Sequence, residues 1–288
     1  MSAPWTILRV LEWTTGRFQR AGLESARLEA QVLLAHVLAC DRVSLYTQFD
    51  KPLRERELAR YRSLITDRLA GKPVAYLVGE QEFWSLPFHV DESVLIPRRD
   101  TETVIEVILD LHSDRAAALS IIDIATGSGA IAVTLARELA QARVVATDVS
   151  RAALGVCARN AERNQVSARV AAVFSDLWAS VAAGEVFDIV VSNPPYIPSG
   201  DIAGLSPEVR CEPRLALDGG PDGLALITRL VHGAIQHTRA GGWLVLEHGY
   251  DQADGVARII GDTGEFTAIN LRRDLGGNPR VTFAQRVA

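Results

Sequence analysis

Up to about Gly71, apolar residues recur at helical spacing. Ile7, Leu8, Leu11, Trp13 and Phe18 open one amphipathic pattern; Leu28, Val32, Leu33, Val37 and Leu38 carry a second; Leu58, Tyr61, Leu64, Ile65 and Leu69 carry a third. Arg and Glu interleave over residues 54–68 as on a solvated helix face, and Gly71-Lys72-Pro73 ends the third helix. Over residues 74–96 aromatic and β-branched residues are broken by Gly79 and Pro87, which predicts a short hairpin joining two domains. From about Ala118 strands and helices alternate. Strands are predicted at 119–125, 142–148, 170–174, 187–191 and 243–247, with helices at 130–139, from about 151, and at 224–238. Such alternation predicts a parallel sheet covered on both faces. Two closing strands, 266–271 and 281–285, flank Gly276-Gly277-Asn278-Pro279.

Chemistry gathers where these strands end. The fourth strand runs straight into Asn193-Pro194-Pro195-Tyr196, and two prolines there forbid helix and ladder alike. The chain therefore stops at the carboxyl edge of the sheet, where open α/β sheets bind ligands. Asn193 can offer a side-chain carbonyl, and Pro194 a backbone carbonyl with no competing N–H beside it. Two fixed acceptors and the Tyr196 ring make a seat for a planar group bearing NH2. A tight turn is the plain alternative for Asn-Pro, but a turn does not need both prolines and the Tyr after a buried strand.

After the first strand comes Ala125-Thr126-Gly127-Ser128-Gly129, followed by a helix amino terminus with free N–H groups. Alone this loop is a weak nucleotide signal. Asp148 ends the second strand, where a carboxylate can bind both hydroxyls of a ribose; Ser150 is available to cap the next helix instead. Together they predict an adenosine-containing cofactor. Dinucleotide dehydrogenases have no use for the Asn-Pro-Pro-Tyr seat, whereas methyl transfer to NH2 does. The nitrogen lone pair of an amide or aromatic amine is delocalised, and two N–H hydrogen bonds favour its localisation and aim it at a sulfonium methyl.

Composition narrows the class. At 288 residues, with 48% hydrophobic and 23% charged residues, the chain has room for two folded domains. A net charge of -5 gives no global attraction to nucleic acid or anionic lipid. No run of apolar residues is long enough for a membrane span, and Met1-Ser2-Ala3-Pro4-Trp5 lacks the pattern of an export signal. Cys40, Cys157 and Cys211 have no metal spacing and read as buried, reduced thiols of a cytoplasmic protein; His232 and His237 read as solvated helix surface.

The chain resembles the bacterial release factor glutamine N5-methyltransferases over nearly its whole length. The likeness is carried by Pro73-Val74-Ala75-Tyr76-Leu77, Glu82-Phe83-Trp84, Leu86-Pro87-Phe88, Leu95-Ile96-Pro97-Arg98 with Asp100-Thr101-Glu102, the loop through Ala132, and Asn193-Pro194-Pro195-Tyr196. It continues in Glu212-Pro213, Ala216-Leu217-Asp218-Gly219-Gly220, Asp222-Gly223, Asp274-Leu275, Gly277 and Arg280. The resemblance implies a class I S-adenosylmethionine-dependent methyltransferase fold: α/β, Rossmann-like, seven strands with the last antiparallel, and a small helical domain in front. It implies a helical substrate-recognition domain over 1–72, a hairpin linker over 73–97 and a methyltransferase domain over 98–288. It implies S-adenosyl-L-methionine, leaving as S-adenosyl-L-homocysteine, held by Ala125, Thr126, Gly127, Ser128, Gly129, Asp148, Asn193 and an aromatic-position residue that aligns with Leu177 or Trp178. Catalysis and substrate binding fall to Asn193, Pro194, Pro195 and Tyr196, which would hold the glutamine of a Gly-Gly-Gln loop on a peptide chain release factor. Ala125 stands where the family usually has Gly, and Arg99 where it usually has Pro.

Three other readings fit parts of the pattern. A paralogous enzyme methylates a glutamine of a large-subunit ribosomal protein; the segment from Ile96 to Glu102 favours the release factor branch. A DNA or RNA adenine N6-methyltransferase could use the same seat, but the acidic balance and the lack of a basic recognition segment weigh against it. A non-enzymatic binding module would not need the loop, Asp148 and the motif all intact.

Overall fold

The computed structural model describes residues 4–288; the reading of Met1-Ser2-Ala3 lies outside the described residues. The chain forms two units, one of residues up to Gly79 together with Ser206–Cys211, the other of Glu80–Leu205 and Glu212–Ala288. The first is helical: α1 (Ile7–Arg20), α2 (Ala26–Leu38), α3 (Arg42–Thr47), α4 (Glu55–Leu69) and α5 (Val74–Val78). Helix α1 begins where Thr6 Oγ1 accepts the Arg9 N–H at 3.4 Å, and it buries Ile7, Val10, Thr14 and Phe18 along one face. Asp41 caps α3 by accepting from Ser44 N at 2.7 Å, and Glu57 of α4 reaches back to Arg54 N at 2.7 Å. Phe18, Leu33, Leu34, Tyr61 and Ile65 meet in the core of this unit, and the Tyr61 hydroxyl donates to the Ala30 carbonyl at 2.9 Å.

Arg68 is buried in this unit at 2% exposure. Its Nε donates to Glu29 Oε2 at 2.7 Å, and its guanidinium also reaches Glu208 in the returning segment. Helical period alone puts Arg68 on the solvated face; tertiary contact with two carboxylates turns it inward.

The second unit continues with the hairpin β1 (Glu80–Phe83) and β2 (Leu86–His89), α6 (Glu102–Leu111), β3 (Ser120–Ile124), α7 (Ala130–Glu138), β4 (Arg143–Asp148), α8 (Arg151–Arg163), β5 (Val170–Phe174) and β6 (Phe187–Ser192). After α9 (Pro207–Arg210), which belongs to the first unit, come α10 (Ala225–His237), β7 (Thr238–Glu247), α11 (Ala253–Gly261), β8 (Phe266–Arg273) and β9 (Pro279–Arg286). The seven-stranded sheet has the order β5-β4-β3-β6-β7-β9-β8, parallel except for β9, which runs antiparallel to both neighbours. Strand order reverses between β3 and β6, which creates the crevice where such sheets take ligands. Apolar side chains of α6 and α7 cover one face, and those of α10 and α11 the other.

Several expectations change. Residues 73–97 are not one hairpin linker. Val74, Leu77 and Val78 pack on the helical core as α5, so the first unit extends to Gly79. The hairpin proper is pinned to the second unit by Asn160, which donates to the His89 carbonyl at 3.0 Å and accepts from His89 N at 2.7 Å. His237 is buried, its Nδ1 2.7 Å from the Glu185 carbonyl, because the ring stacks on Trp178. Of the cysteines only Cys157 is buried; Cys211 is exposed and Cys40 half-buried. Helices α6 and α11 escaped the sequence pattern. None of the described helices is long and apolar enough to cross a membrane.

Candidate active site

Parallel register aligns the residues that matter. Ile124 pairs with Thr147 on one side and with Ser192 on the other, so the next residues, Ala125, Asp148 and Asn193, stand in one row at the carboxyl edge. They border a cavity of about 350 Å³ in the second unit, lined also by Thr126, Gly127, Ser128, Leu177 and Pro195.

The loop after β3 is held from below. Thr126 donates through its hydroxyl to Asp123 Oδ2 at 2.6 Å, Ala132 N reaches the same oxygen at 3.2 Å, and Asn160 donates to the Ser128 carbonyl at 2.8 Å. Burial pushes the Asp123 carboxyl up to about 7. Gly129 has φ +80°, and a Cβ there would lie 2.7 Å from Cys157 Sγ, so no side chain fits. Ala125 also adopts a left-handed conformation, with φ +59°. A Cβ in this region costs roughly 1–2 kcal/mol. Ala125→Gly is therefore expected to raise stability by about 0.5–1 kcal/mol after the added freedom of the unfolded chain is discounted, as denaturant titration would show.

Asp148 accepts from Gly127 N at 2.9 Å through Oδ2 and from Ser150 N at 2.8 Å through Oδ1. Ser150, not Asp148, caps α8. Burial raises the Asp148 pKa, and the N–H groups of Ser150, Gly127 and Val149 oppose that rise. Each carboxylate oxygen keeps a lone pair for a further donor.

Leu177 and Trp178 part company. Leu177, at φ +49°, turns into the cavity wall, with its carbonyl accepting from the Ser175 hydroxyl at 2.7 Å. Trp178 points the other way. Its Nε1 donates to the Leu230 carbonyl at 3.1 Å and its ring stacks on His237 at 4.9 Å, so it does not line the cavity. Alternation along the chain cannot tell these two apart; the left-handed backbone at Leu177 itself goes with its side chain facing the cavity while Trp178 faces away.

At the end of β6, Ser192 donates to the Ile124 carbonyl at 2.6 Å and locks the two strands together. Asn193 Nδ2 donates to Thr101 Oγ1 at 3.1 Å, while no hydrogen bond to its Oδ1 is formed among the described residues. Gly129, Pro194, Trp178 and Tyr196 stand outside the cavity lining. Tyr196 is fixed by its hydroxyl, 3.4 Å from Glu247 Oε1, and by its carbonyl, which accepts from Gln252 Nε2 at 2.9 Å. A Cβ on Gly223 would lie 2.2 Å from that same carbonyl. Burial raises the Tyr196 pKa, so the phenol stays neutral. Thr101, Glu247 and Arg98 are site residues that the strand-end motifs did not mark.

Residues 9–79 match the family model described as PrmC N-terminal domain, and residues 103–203 match the methyltransferase small domain. A release factor glutamine methyltransferase of Geobacter sulfurreducens is 46% identical over 96% of this chain and 95% of its own length. Another, from Rhodopirellula baltica, is 42% identical over 98% of this chain and 97% of its own. The chain belongs to the release factor glutamine methyltransferase family. A T. thermophilus 16S rRNA methyltransferase solved with AdoMet and guanosine shares the fold at 18% identity and a TM-score of 0.53, covering 72% of this chain and 49% of that one.

Membership of a methyltransferase family implies S-adenosylmethionine, and the residues present fit it. At Gly127 the space where a Cβ would point is open, next to the Asp148 carboxylate, which suits a ribose. Leu177 would offer an apolar wall to a base, and Asn193 lines the same cavity. Asp148→Ala is expected to weaken S-adenosylmethionine binding about ten- to a hundredfold, the worth of hydrogen bonds to a charged acceptor. Calorimetry would check it; unchanged affinity would remove Asp148 from the site.

Proposed function

We propose that this chain transfers a methyl group from S-adenosylmethionine to the side-chain amide nitrogen of the glutamine in the Gly-Gly-Gln loop of peptide chain release factors. The observation that carries the reading is Asn193. Its amide N–H is committed to Thr101, which leaves Oδ1 as an acceptor in a cavity that also holds the Asp148 carboxylate.

Bound there, the cofactor supplies an electrophilic methyl on a sulfonium. The protein's part is to make an amide nitrogen nucleophilic enough. Asn193 Oδ1 and the Pro194 carbonyl accept the two N–H groups of the glutamine, which orients the nitrogen and stabilises the positive charge that builds on it. Pro195 has no N–H to compete for that carbonyl. The proton leaves after the new bond forms, so no general base is needed beforehand.

The helical first unit recognises the protein around the glutamine in this reading. Among its described residues it has no glycine-rich loop and no strand, and it exposes Leu8, Trp13 and Phe49. Remote contacts of this kind orient a reacting group. The test is mass spectrometry of a release factor incubated with the protein and S-adenosylmethionine. One added methyl on the Gly-Gly-Gln glutamine is expected; an unmodified release factor alongside a methylated ribosomal protein would overturn the reading.

A further inference from the structure

We propose, on the reading that Asn193 and Pro194 accept the glutamine N–H groups, that Gln252 is a positioning residue for the methyl acceptor. Its side-chain amide ties the far end of the Asn193–Tyr196 seat to the turn after β7, and so fixes the direction of the Pro194 carbonyl. A backbone carbonyl has no side chain to aim it. That of Pro194 lies in the peptide plane shared with Pro195, whose ring locks φ at about −65°. The plane therefore turns with the chain on either side of it, and its direction depends on how the two ends of the seat are held.

The near end is held by Ser192, which donates to the Ile124 carbonyl at 2.6 Å. Beyond the far end, Ile197 N donates to the Leu217 carbonyl at 3.0 Å, and Gly219 N donates to the Ile197 carbonyl at 2.8 Å. Between them the Tyr196 carbonyl accepts from Gln252 Nε2 at 2.9 Å. Packing here leaves no slack. A Cβ on Gly219 would lie 2.7 Å from Tyr196 Cα and 2.8 Å from the Pro195 carbonyl oxygen. One on Gly223 would lie 2.2 Å from the Tyr196 carbonyl oxygen and 2.5 Å from Gln252 Nε2.

The Gln252 amide can face only one way. Its Oε1 accepts from Gly249 N at 2.9 Å while its Nε2 donates to the Tyr196 carbonyl. A main-chain N–H only donates and a main-chain carbonyl only accepts, so the flipped amide would set donor against donor and acceptor against acceptor. Both partners are backbone groups, and no ionisation state enters the choice. Gln252 is buried and stands immediately before α11, its own N–H donating to the Gly249 carbonyl at 3.0 Å. It does not line the cavity, so it acts on the acceptor through the Tyr196 carbonyl and not on the cofactor.

The test is single-turnover methylation of a whole release factor at saturating S-adenosylmethionine, with the release factor concentration varied and at a temperature where circular dichroism shows every variant folded. Gln252→Met keeps the length of the side chain and removes both hydrogen-bonding groups. Its maximal rate should fall about tenfold, as a displacement of the reacting atoms by less than 1 Å would cause. The release factor concentration giving half that rate, and S-adenosylmethionine affinity by calorimetry, should each stay within about threefold of the parent. A purely structural role would lower the melting temperature and leave the maximal rate of the folded protein within about threefold of the parent's, and that result would overturn the proposal. So would a rate loss accounted for by weaker binding of cofactor or release factor. Asn193→Ala is run alongside; should it match the parent, the reading of the site falls, and this inference with it. If Gln252→Met does not fold, Gln252→Glu takes its place, read as the ratio of its rate to the parent's between about pH 6 and 9. A protonated carboxyl can donate to the Tyr196 carbonyl and an ionised one cannot, so the ratio should fall as pH rises; a ratio that does not change would overturn the proposal.

Discussion

Asn193→Ala is expected to slow single-turnover methylation about a hundred- to a thousandfold, the usual cost of one preorganised transition-state partner. The side chain stands in one row with Ala125 and Asp148, set by the parallel register of β3, β4 and β6. Its backbone anchors do not depend on the amide: Ser192 bonds to Ile124, and Tyr196 is held by Gln252 and packed beside Gly223. The loss should therefore fall on the rate of the chemical step, with thermal stability little changed. Because Asn193 also borders the cofactor cavity, a modest loss of S-adenosylmethionine affinity is compatible with the role. A single-turnover rate within a few-fold of the parent would refute it.

Arg68→Leu should destabilise the helical unit by about 2–3 kcal/mol, because it removes a buried cation from two half-buried carboxylates. Arg68 is 2% exposed, forks onto Glu29 at 2.7 and 3.2 Å, and holds Glu208 from the segment that returns to this unit. The two carboxylates raise the Arg68 pKa against the opposing effect of burial, so the guanidinium keeps its charge. Chemical denaturation followed by circular dichroism would register the loss. A companion variant sharpens the result. Adding Glu29→Leu to Arg68→Leu should recover part of the stability, since replacing both members of a largely buried pair by apolar groups is commonly close to neutral. A single variant within about 1 kcal/mol of the parent would mean that the cluster is worth no more than a surface ion pair.

Much of the site was legible because its signals are local. The prolines of Asn193-Pro194-Pro195-Tyr196 stop a strand wherever they occur, Gly129 is demanded by a backbone turned to φ +80°, and Asp148 closes a short apolar run. What escaped were partnerships between distant parts of the chain. Thr101 and Asn193 are 92 positions apart, and Tyr196 and Glu247 are 51 apart. No period in the sequence relates them. Trp178 and His237 each look plausible at a surface or a ligand until they are seen stacked on one another.

By itself the sequence determined the helical front, the alternating strands and helices behind it, and the three strand ends that carry Ala125, Asp148 and Asn193. Those follow from side-chain spacing at periods of 3.6 and 2 and from backbone limits at Pro and Gly, which act over a few residues. Only the tertiary structure decided that Leu177 and not Trp178 faces the cavity, that Ser206–Cys211 joins the helical unit, that Thr101 meets Asn193 and that Glu247 meets Tyr196. Each of those depends on which strands become neighbours and in what register. The reason is physical: a hydrogen bond or ion pair is set by distance in space, and chain-local patterning carries no record of which remote residue will supply the partner.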